Sequence, residues 1–267
     1  MSRRTSYQAP RVMDPSKTAL IPVKSSSSRS MKVISVCLYA EPTYAARFPS
    51  RNFESRYIAS CLNSMEFLAR EDYRLVIFTD HSMLRVAGGI DADVYLVTSR
   101  PRYPFEQNLW RYYAASALRG SGVNVIHFRG MDNIAAPDDR LDVMRDFEAS
   151  GFDLLNAPYL RARGLSYCPV RGSCSVGGNG IESLASWMDA NMTASEILDW
   201  PACWHQDENV LSNWFDANWG KLRIYTMIDR VMPIEFYTWM DSALRAGVSL
   251  KVFSISKKGW LYAPKPM

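Results

Sequence analysis

Four short apolar runs, each of strand length, organise the first half of the chain. They lie at residues 32–39, 73–80, 93–98 and 123–128, and most positions in them are apolar, which is typical of strands buried on both faces. The stretches between them carry helical spacing, at residues 54–70, 82–86 and 105–119. Strands that alternate with helices predict βαβ units and an α/β fold, with a mostly parallel central sheet flanked by helices.

The second half is less regular, but its elements are also short. Its pattern predicts helices at residues 138–150, 181–191, 193–199, 206–218 and 233–246, and strands at 152–157, 222–226 and 248–254. A glycine-rich stretch at residues 170–180 shows neither the helical nor the strand period of apolar residues. We expect residues 31–267 to form one domain.

The first thirty residues differ from the rest. They lack apolar periodicity and contain three prolines, a serine run at residues 25–28 and scattered basic residues. This composition predicts a flexible tail over residues 1–30, either simply solvated or in contact with an anionic partner.

Composition narrows the class of protein. Hydrophobic residues make up 48% of the 267 positions, which is typical of a globular chain that buries its core without metals or disulfides. The net charge of +4 permits a polyanionic partner but does not require one. Five cysteines without a CxxC pair or a Cys/His cluster argue against zinc and favour reduced, buried thiols in a cytoplasmic protein. We find neither a membrane-span-length apolar stretch nor a signal peptide.

Candidate chemistry lies at strand ends, because ligands of open parallel sheets bind beyond the carboxyl ends of the strands. Leu38 and Tyr39 end the first run, Asp80 ends the second, and the fourth continues into RGMDN at residues 129–133. The chain contains no P-loop, no GxGxxG after its first strand and no GxSxG elbow. Simple triphosphate-binding, dinucleotide-binding and serine-hydrolase interpretations therefore lose their main support.

Four segments together resemble the GT-A-fold glycosyltransferases, especially the glycogenin and lipopolysaccharide galactosyltransferase group. The strand at 123–128 with RGMDN resembles that family's strand and DxD segment, and LWRYY at 109–113 resembles its upstream helix. SVGGNG at 175–180 resembles its donor-sugar turn, and HQDENVLSNWF at 205–215 resembles its DQDxLN helix start. The resemblance spans residues 31–260 and implies a GT-A-like, nucleotide-sugar-binding fold.

The resemblance also implies a donor site with defined roles. A nucleotide-sugar donor carries a diphosphate whose charge must be neutralised, and Asp132 would do so by holding Mn²⁺ or Mg²⁺. Arg111 or Arg129 would pair with phosphate oxygens, and Lys258 would also hold phosphate. Asp207 and Asp132 are the expected catalytic residues. Asp207 would orient hydroxyl groups or take the acceptor's proton.

The glycine-rich turn completes the expected donor site. Gly177 and Gly178 would let the backbone approach the sugar closely, and Asn179 follows them in the resembling turn.

The sequence departs from the family pattern at the metal. Gly130 stands at the first Asp of DxD, and Val252 stands where the family has a metal-binding His. Two of three expected ligands are therefore missing, so the metal site is altered or absent.

Each of these residues also has a structural interpretation. Asp132 can cap its own turn, Asp207 can stabilise the first turn of a helix, and Arg111 can lie on a solvated face. Gly177 and Gly178 can form an ordinary turn.

Two functional classes remain open. The first is a glycosyltransferase that moves a sugar from a nucleotide-sugar to an acceptor, which can be a glycan, a protein or a modified DNA base. The last acceptor would suit a phage or viral enzyme. The second is a non-catalytic binding or assembly module derived from the same fold. Convergence of Asp132, Arg111 and Asp207 on one cleft favours the first class.

Overall fold

A ten-stranded mixed sheet is the centre of the described part of the molecule. The structure, a computed structural model, describes residues 11–13, 20–39, 53–98, 106–136, 138–160, 167–191, 194–196, 206–228, 232–254 and 259–262.

The first half follows the expected alternation. Its strands are β1 (Arg11–Met13), β2 (Leu20–Lys24), β3 (Lys32–Leu38), β4 (Arg74–Thr79), β5 (Asp93–Val97) and β6 (Val125–Phe128). Its α-helices are α1 (Phe53–Arg70), α2 (Leu84–Gly88) and α3 (Ala114–Ala117), and the 3-10 helix η1 (Glu106–Tyr113) precedes α3. The segment at 105–119, predicted as one helix, is therefore mostly 3-10.

The second half contains short strands between longer helices. The helices are α4 (Asp138–Ser150), α5 (Asn179–Asn191), α6 (Gln206–Asn218), α7 (Ile234–Arg245) and the 3-10 helix η2 (Trp219–Lys221). The strands are β7 (Leu154–Asn156), β8 (Tyr159–Leu160), β9 (Tyr167–Cys168), β10 (Ser175–Gly177), β11 (Ala194–Glu196), β12 (Ile224–Ile228), β13 (Leu250–Ser254) and β14 (Gly259–Tyr262). The helix expected at 193–199 is wrong, because β11 pairs antiparallel with β1.

The strand order of the large sheet is β14-β13-β12-β7-β10-β6-β3-β4-β5-β2. Strands β3, β4, β5 and β6 are parallel to one another, as are β7, β12 and β13. Strand β10 lies between β6 and β7 and is antiparallel to both, so these seven strands share one direction. The predicted α/β architecture, a mostly parallel central sheet flanked by helices, is confirmed.

Helices cover both faces of the sheet, which explains why its inner strands are apolar throughout. Val33 and Cys37 of β3 belong to a core shared with η1, α5 and α6, and we call this side the α6 face. Ile34 and Val36 point the other way, into a core shared with α1 and α4, which we call the α4 face. The side-chain period of two thus assigns alternate residues of each strand to opposite cores.

The expected tail is partly ordered, and residues 20–30 correct that prediction. Strand β2 pairs antiparallel with the edge strand β5. The backbone nitrogen of Ser26 donates to Oδ1 of Asp93 (2.8 Å), and that of Ser27 donates to Oδ1 of Asp91 (2.9 Å). These carboxylates hold the serine run against the sheet, an interaction with no local sequence signal. Residues 1–10 and 14–19 lie outside the described residues.

Two further expectations concern the described chain. Four cysteines, Cys37, Cys61, Cys168 and Cys174, are buried and not disulfide-bonded, whereas Cys203 lies outside the described residues. Within the part of the chain that the structure describes, none of the helices combines the length and apolar character needed to cross a membrane.

Candidate active site

Parallel strands bring three of the predicted positions to one edge of the sheet, which we call the carboxyl edge. Leu38 is the last residue of β3, and its carbonyl oxygen accepts a hydrogen bond from Oγ1 of Thr79 on β4 (2.8 Å). The hydroxyl group of Tyr39 donates to Oδ1 of Asn108 in η1 (2.8 Å). Asp80 accepts from the backbone nitrogen of Met83 (3.1 Å) and so stabilises the turn before α2. These contacts fix the strand ends.

A buried ion pair between Arg111 and Asp207 is the main charged feature of this edge. Nη2 of Arg111, in η1, donates to Oδ2 of Asp207, in the first turn of α6. The two side chains are only 11% and 9% exposed. The interpretation of Arg111 as a solvated surface residue is therefore wrong. Asp207 does lie in the first turn of a helix, but its carboxylate has a specific partner.

Neighbouring groups hold the ion pair rigidly. Nη1 of Arg111 donates to the carbonyl oxygen of Arg129 (3.3 Å), and Nη2 also donates to the hydroxyl oxygen of Tyr112 (3.2 Å). The Tyr112 hydroxyl group in turn donates to the carbonyl oxygen of Gly172 (2.9 Å). The pair is thereby tied to both the end of β6 and the loop before β10.

The backbone of η1 is anchored on β3. The hydroxyl group of Ser35 donates to the carbonyl oxygen of Arg111 (2.6 Å), and the Arg111 nitrogen donates to Sγ of Cys37 (2.9 Å). Burial raises the pKa of the Cys37 thiol to about 12, so this sulfur stays protonated near neutral pH. Burial alone would lower the pKa of Arg111, but Tyr112 and Asp207 outweigh it, and the pKa of Arg111 is raised. The guanidinium group is therefore permanently charged.

Gly172 is a site residue that sequence reasoning missed. A Cβ atom at this position would lie 2.6 Å from Oδ2 of Asp207 and 3.0 Å from Nη2 of Arg111. Its backbone nitrogen donates to Oε1 of Glu208 (3.3 Å). Only glycine permits this approach, and the one available signal was its place in the glycine-rich stretch at 170–180.

Arg129 extends the site to the other side of the sheet. Its carbonyl oxygen accepts from Arg111, as described, but its side chain turns to the α4 face and contacts Sδ of Met144. The residue is 4% exposed. Burial and the nearby cation of Arg140 lower the pKa of Arg129 to about 10. The side chain nevertheless remains charged at neutral pH.

Asp132 is not accompanied by other metal ligands among the described residues. Asp132 is exposed in the turn after β6, and a Cβ atom at Gly130 would lie 2.8 Å from its Oδ1. Val252, at the expected His position, is 1% exposed in β13. Among the described residues no three His, Cys, Asp or Glu side chains are grouped as metal ligands. The described residues at this position therefore do not fit a divalent cation.

The predicted glycine turn lies at the opposite edge of the sheet. Strand β10 is antiparallel, so Gly177 pairs with Val125, the first residue of β6. Arg129 comes four residues after Val125, which is about 13 Å of extended chain. The structure does not bring Gly177, Gly178 and Asn179 together with Arg111. The chain direction instead places the start of β10, and Gly172 before it, at the carboxyl edge.

The remaining predicted positions are Lys258 and Asn179. Lys258 lies outside the described residues. Asn179 begins α5, and its backbone nitrogen donates to Oδ1 of Asp153 (3.2 Å), a structural contact at the start of that helix. Of the three residues whose convergence would favour catalysis, Arg111 and Asp207 are in contact, and Asp132 lies three residues after the Arg129 carbonyl that binds Arg111.

Comparison with known proteins gives distant likenesses. No protein-family model matches the sequence, and no curated protein matches it. A proposed nucleotide-diphospho-sugar transferase from Desulfovibrio desulfuricans G20 is 12% identical, covering 75% of this chain and 80% of that one, with a TM-score of 0.44. Rv0371C from Mycobacterium tuberculosis H37Rv, solved as a complex with manganese, is 15% identical, covering 84% and 98%, with a TM-score of 0.40.

A third solved structure is similarly distant. S. aureus TarS 1–349 is 12% identical, covering 80% of this chain and 65% of that one, with a TM-score of 0.42. None of the three is described as a glycogenin or a lipopolysaccharide galactosyltransferase, so the narrower subgroup is not confirmed. Likenesses this distant do not assign the chain to a family, and the case for its function rests on its own residues.

Proposed function

We propose that this protein is a glycosyltransferase that uses a nucleotide-sugar donor bound at the carboxyl edge of the sheet. One observation carries the proposal. Arg111 and Asp207, 96 positions apart, meet in a buried ion pair that also contacts the end of β6. The sequence motifs that resemble the donor site of such enzymes are thus joined at the edge where α/β sheets bind ligands.

Positive charge is the main chemical requirement of such a site, because a diphosphate leaves as the bond to the sugar breaks. Arg111 supplies a fixed guanidinium group suited to phosphate oxygens. Asp207 and the Arg129 carbonyl hold that group from two sides. In the bound state the donor phosphate takes over part of the guanidinium, which frees the Asp207 carboxylate to orient an acceptor hydroxyl or accept its proton.

The remaining positions of the proposal lie around this pair. Leu38, Tyr39 and Asp80 end the neighbouring strands and would line the nucleotide end of the donor. Lys258 is proposed to hold phosphate in place of the missing metal ligands. The acceptor remains a glycan, a protein or a modified DNA base.

A non-catalytic binding module is the second candidate, and a specific observation favours it. Asp207 is buried and already paired with Arg111, so without a ligand its carboxylate is not available to a substrate. Binding of a nucleotide-sugar without turnover would fit this candidate.

Thermal-shift screening tests the proposal directly. UDP-, GDP-, CMP- and TDP-sugars are added at millimolar concentration, with and without Mn²⁺. A donor at ten times its Kd adds about 1.4 kcal/mol of stability, which raises the Tm by about 2–3 °C for a chain of this size. Absence of a shift with every donor would refute the proposed donor site.

Substitutions then locate the donor and separate the two candidates. Arg111→Lys should remove the donor-dependent shift, whereas Asp207→Asn, which keeps the guanidinium group that binds phosphate, should retain the shift. Arg119→Gln, which breaks a surface pair with Glu182 (3.3 Å), is the matched control and should preserve it. Lys258→Ala tests the proposed phosphate contact. Release of the nucleotide from the bound donor, as UDP, GDP, TDP or CMP, supports the transferase, and donor binding without any release supports the binding module.

A further inference from the structure

Arg129 is a buried cation without an acidic partner among the described residues. It is 4% exposed, and its Nε atom is buried with no hydrogen-bond partner in that part of the chain. The hydrogen bond that its guanidinium group does make goes to Sδ of Met144. A thioether is a weak acceptor. Buried arginines are ordinarily paired with a carboxylate, because an uncompensated buried charge destabilises the folded state.

The surroundings of Arg129 add positive charge. Burial, followed by the cation of Arg140, lowers the pKa of Arg129 to about 10. Arg140 is in the first turn of α4, and both arginines line one cleft. The walls of such a cleft have a low dielectric constant, so the two cations give it a positive electrostatic potential. This potential raises the local concentration of anions.

The cleft is partly open to solvent and lies between α4 and the ends of β6, β7 and β12. Asn156, Ser173 and Ser175 add polar groups to the walls.

Hydrogen-bond directions show which groups can donate to a ligand. Nδ1 of His127 lies 2.7 Å from Oγ of Ser175, and Nε2 lies 3.0 Å from Oε1 of Glu148. Burial lowers the pKa of His127, so the ring is neutral, and its proton is on Nε2 because a carboxylate can only accept. Ser175 therefore donates to Nδ1 of His127. Among the described residues that line the cleft, Arg129 is the buried donor with an unpartnered N–H, and Arg140 adds a second positive charge.

The cleft is distinct from the Arg111–Asp207 pair. Side chains alternate along β6, so His127 and Arg129 point to the α4 face, whereas Phe128 packs on the α6 face against Tyr112. The two sites are back to back on the sheet, and the backbone of Arg129 belongs to both, because its carbonyl oxygen binds Arg111.

We propose that this cleft, lined by Arg129 and Arg140 on the α4 face, is a binding site for a phosphoryl oxyanion. The planar guanidinium group of Arg129 lines the site and matches the spacing of phosphate oxygens. The anion comes either from free phosphate or from a phosphorylated small molecule. The site does not depend on sugar transfer, because an anion binds here whether or not a donor binds at Arg111.

Calorimetric titration of the full-length protein with inorganic phosphate tests the site, with sodium chloride at matched ionic strength as the comparison. We expect saturable binding of phosphate beyond any effect of chloride. A sugar 1-phosphate and a nucleoside monophosphate are titrated in parallel. Tighter binding of a monoester than of phosphate identifies a phosphorylated ligand, and equal binding identifies free phosphate. No saturable binding of any of the three overturns the proposal.

Arg129→Met separates binding from folding. Removal of an unpaired buried charge should abolish phosphate binding and leave the Tm without phosphate unchanged or higher. An unchanged phosphate affinity, or a lower Tm with binding retained, would contradict the proposal. Arg140→Gln is the second variant, and loss of its charge-assisted contact should weaken binding about tenfold or more.

Arg145→Gln is the matched control on the same helix. Arg145 is 51% exposed and bonds to Glu71, with Nη2 2.8 Å from Oε2. Its loss should leave the phosphate affinity within about twofold of wild type, because surface pairs contribute little. Equal weakening by Arg140→Gln and Arg145→Gln would indicate general charge attraction and refute a built site.

Discussion

Removal of one partner of the Arg111–Asp207 ion pair should destabilise the protein strongly. Both side chains are about nine-tenths buried, so Asp207→Asn leaves an uncompensated guanidinium group inside the protein. The loss of one partner from a buried pair costs about 3–5 kcal/mol. A chain of 267 residues unfolds with an entropy of about 2.1 cal/mol/K per residue, so the Tm should fall by about 5–9 °C.

A double-mutant cycle isolates the pair from other effects of each substitution. Urea unfolding is measured for the wild type, Arg111→Met, Asp207→Asn and the double variant. The double variant leaves neither charge buried, so it should be more stable than the sum of the single losses predicts, by at least about 2 kcal/mol. Additive losses, or a single loss below about 1 kcal/mol, would refute the buried ion pair as the organising contact of the site.

Three further predictions concern the residues around the site and the core. Gly172→Ala introduces a methyl group 2.6 Å from Oδ2 of Asp207 and should cost about 1–3 kcal/mol in urea unfolding, whereas a loss below about 0.5 would contradict the close approach. Burial lowers the pKa of His127 below its ordinary 6.5, so the unfolded chain binds the proton first. Stability should be fully present above pH 6.5 and fall as the pH drops below it, and His127→Gln should flatten this dependence in Tm measurements. Asp153, which is 1% exposed, accepts hydrogen bonds from the Arg223 side chain and from the backbone nitrogens of Arg223 and Asn179. Asp153→Asn should cost about 2–4 kcal/mol, and Arg223→Gln, at a side chain 49% exposed, about 1 kcal/mol or less, whereas equal losses would contradict this asymmetry.

The sequence predicted most of the elements but few of their partners. The apolar run at 73–80 became β4, and the helical spacing at 206–218 became α6, because a period of two or 3.6 is set by neighbours in the chain. The predictions failed where a partner distant in sequence decides the state. Strand β2 forms because β5 offers it a free edge, and β11 forms because β1 lies beside it.

The candidate site divides in the same way. Strand ends such as Asp80 and Arg129 were found from the sequence because parallel strands finish at a common edge. The glycine turn at Gly177 was placed with them, but β10 runs in the opposite direction and puts Gly172 there instead. Nothing in a single strand records its direction, which depends on the pairing of the whole sheet.

The sequence by itself thus determined the α/β alternation, the buried strands and the residue types gathered at their ends, because these follow from local periodicity and composition. Only the tertiary structure decided which charges meet. It paired Arg111 with Asp207 across 96 positions and turned Arg129 away from that pair, to the opposite face. The physical reason is that burial and long-range contact set the energy of a charge, and neither is encoded within a few residues of it.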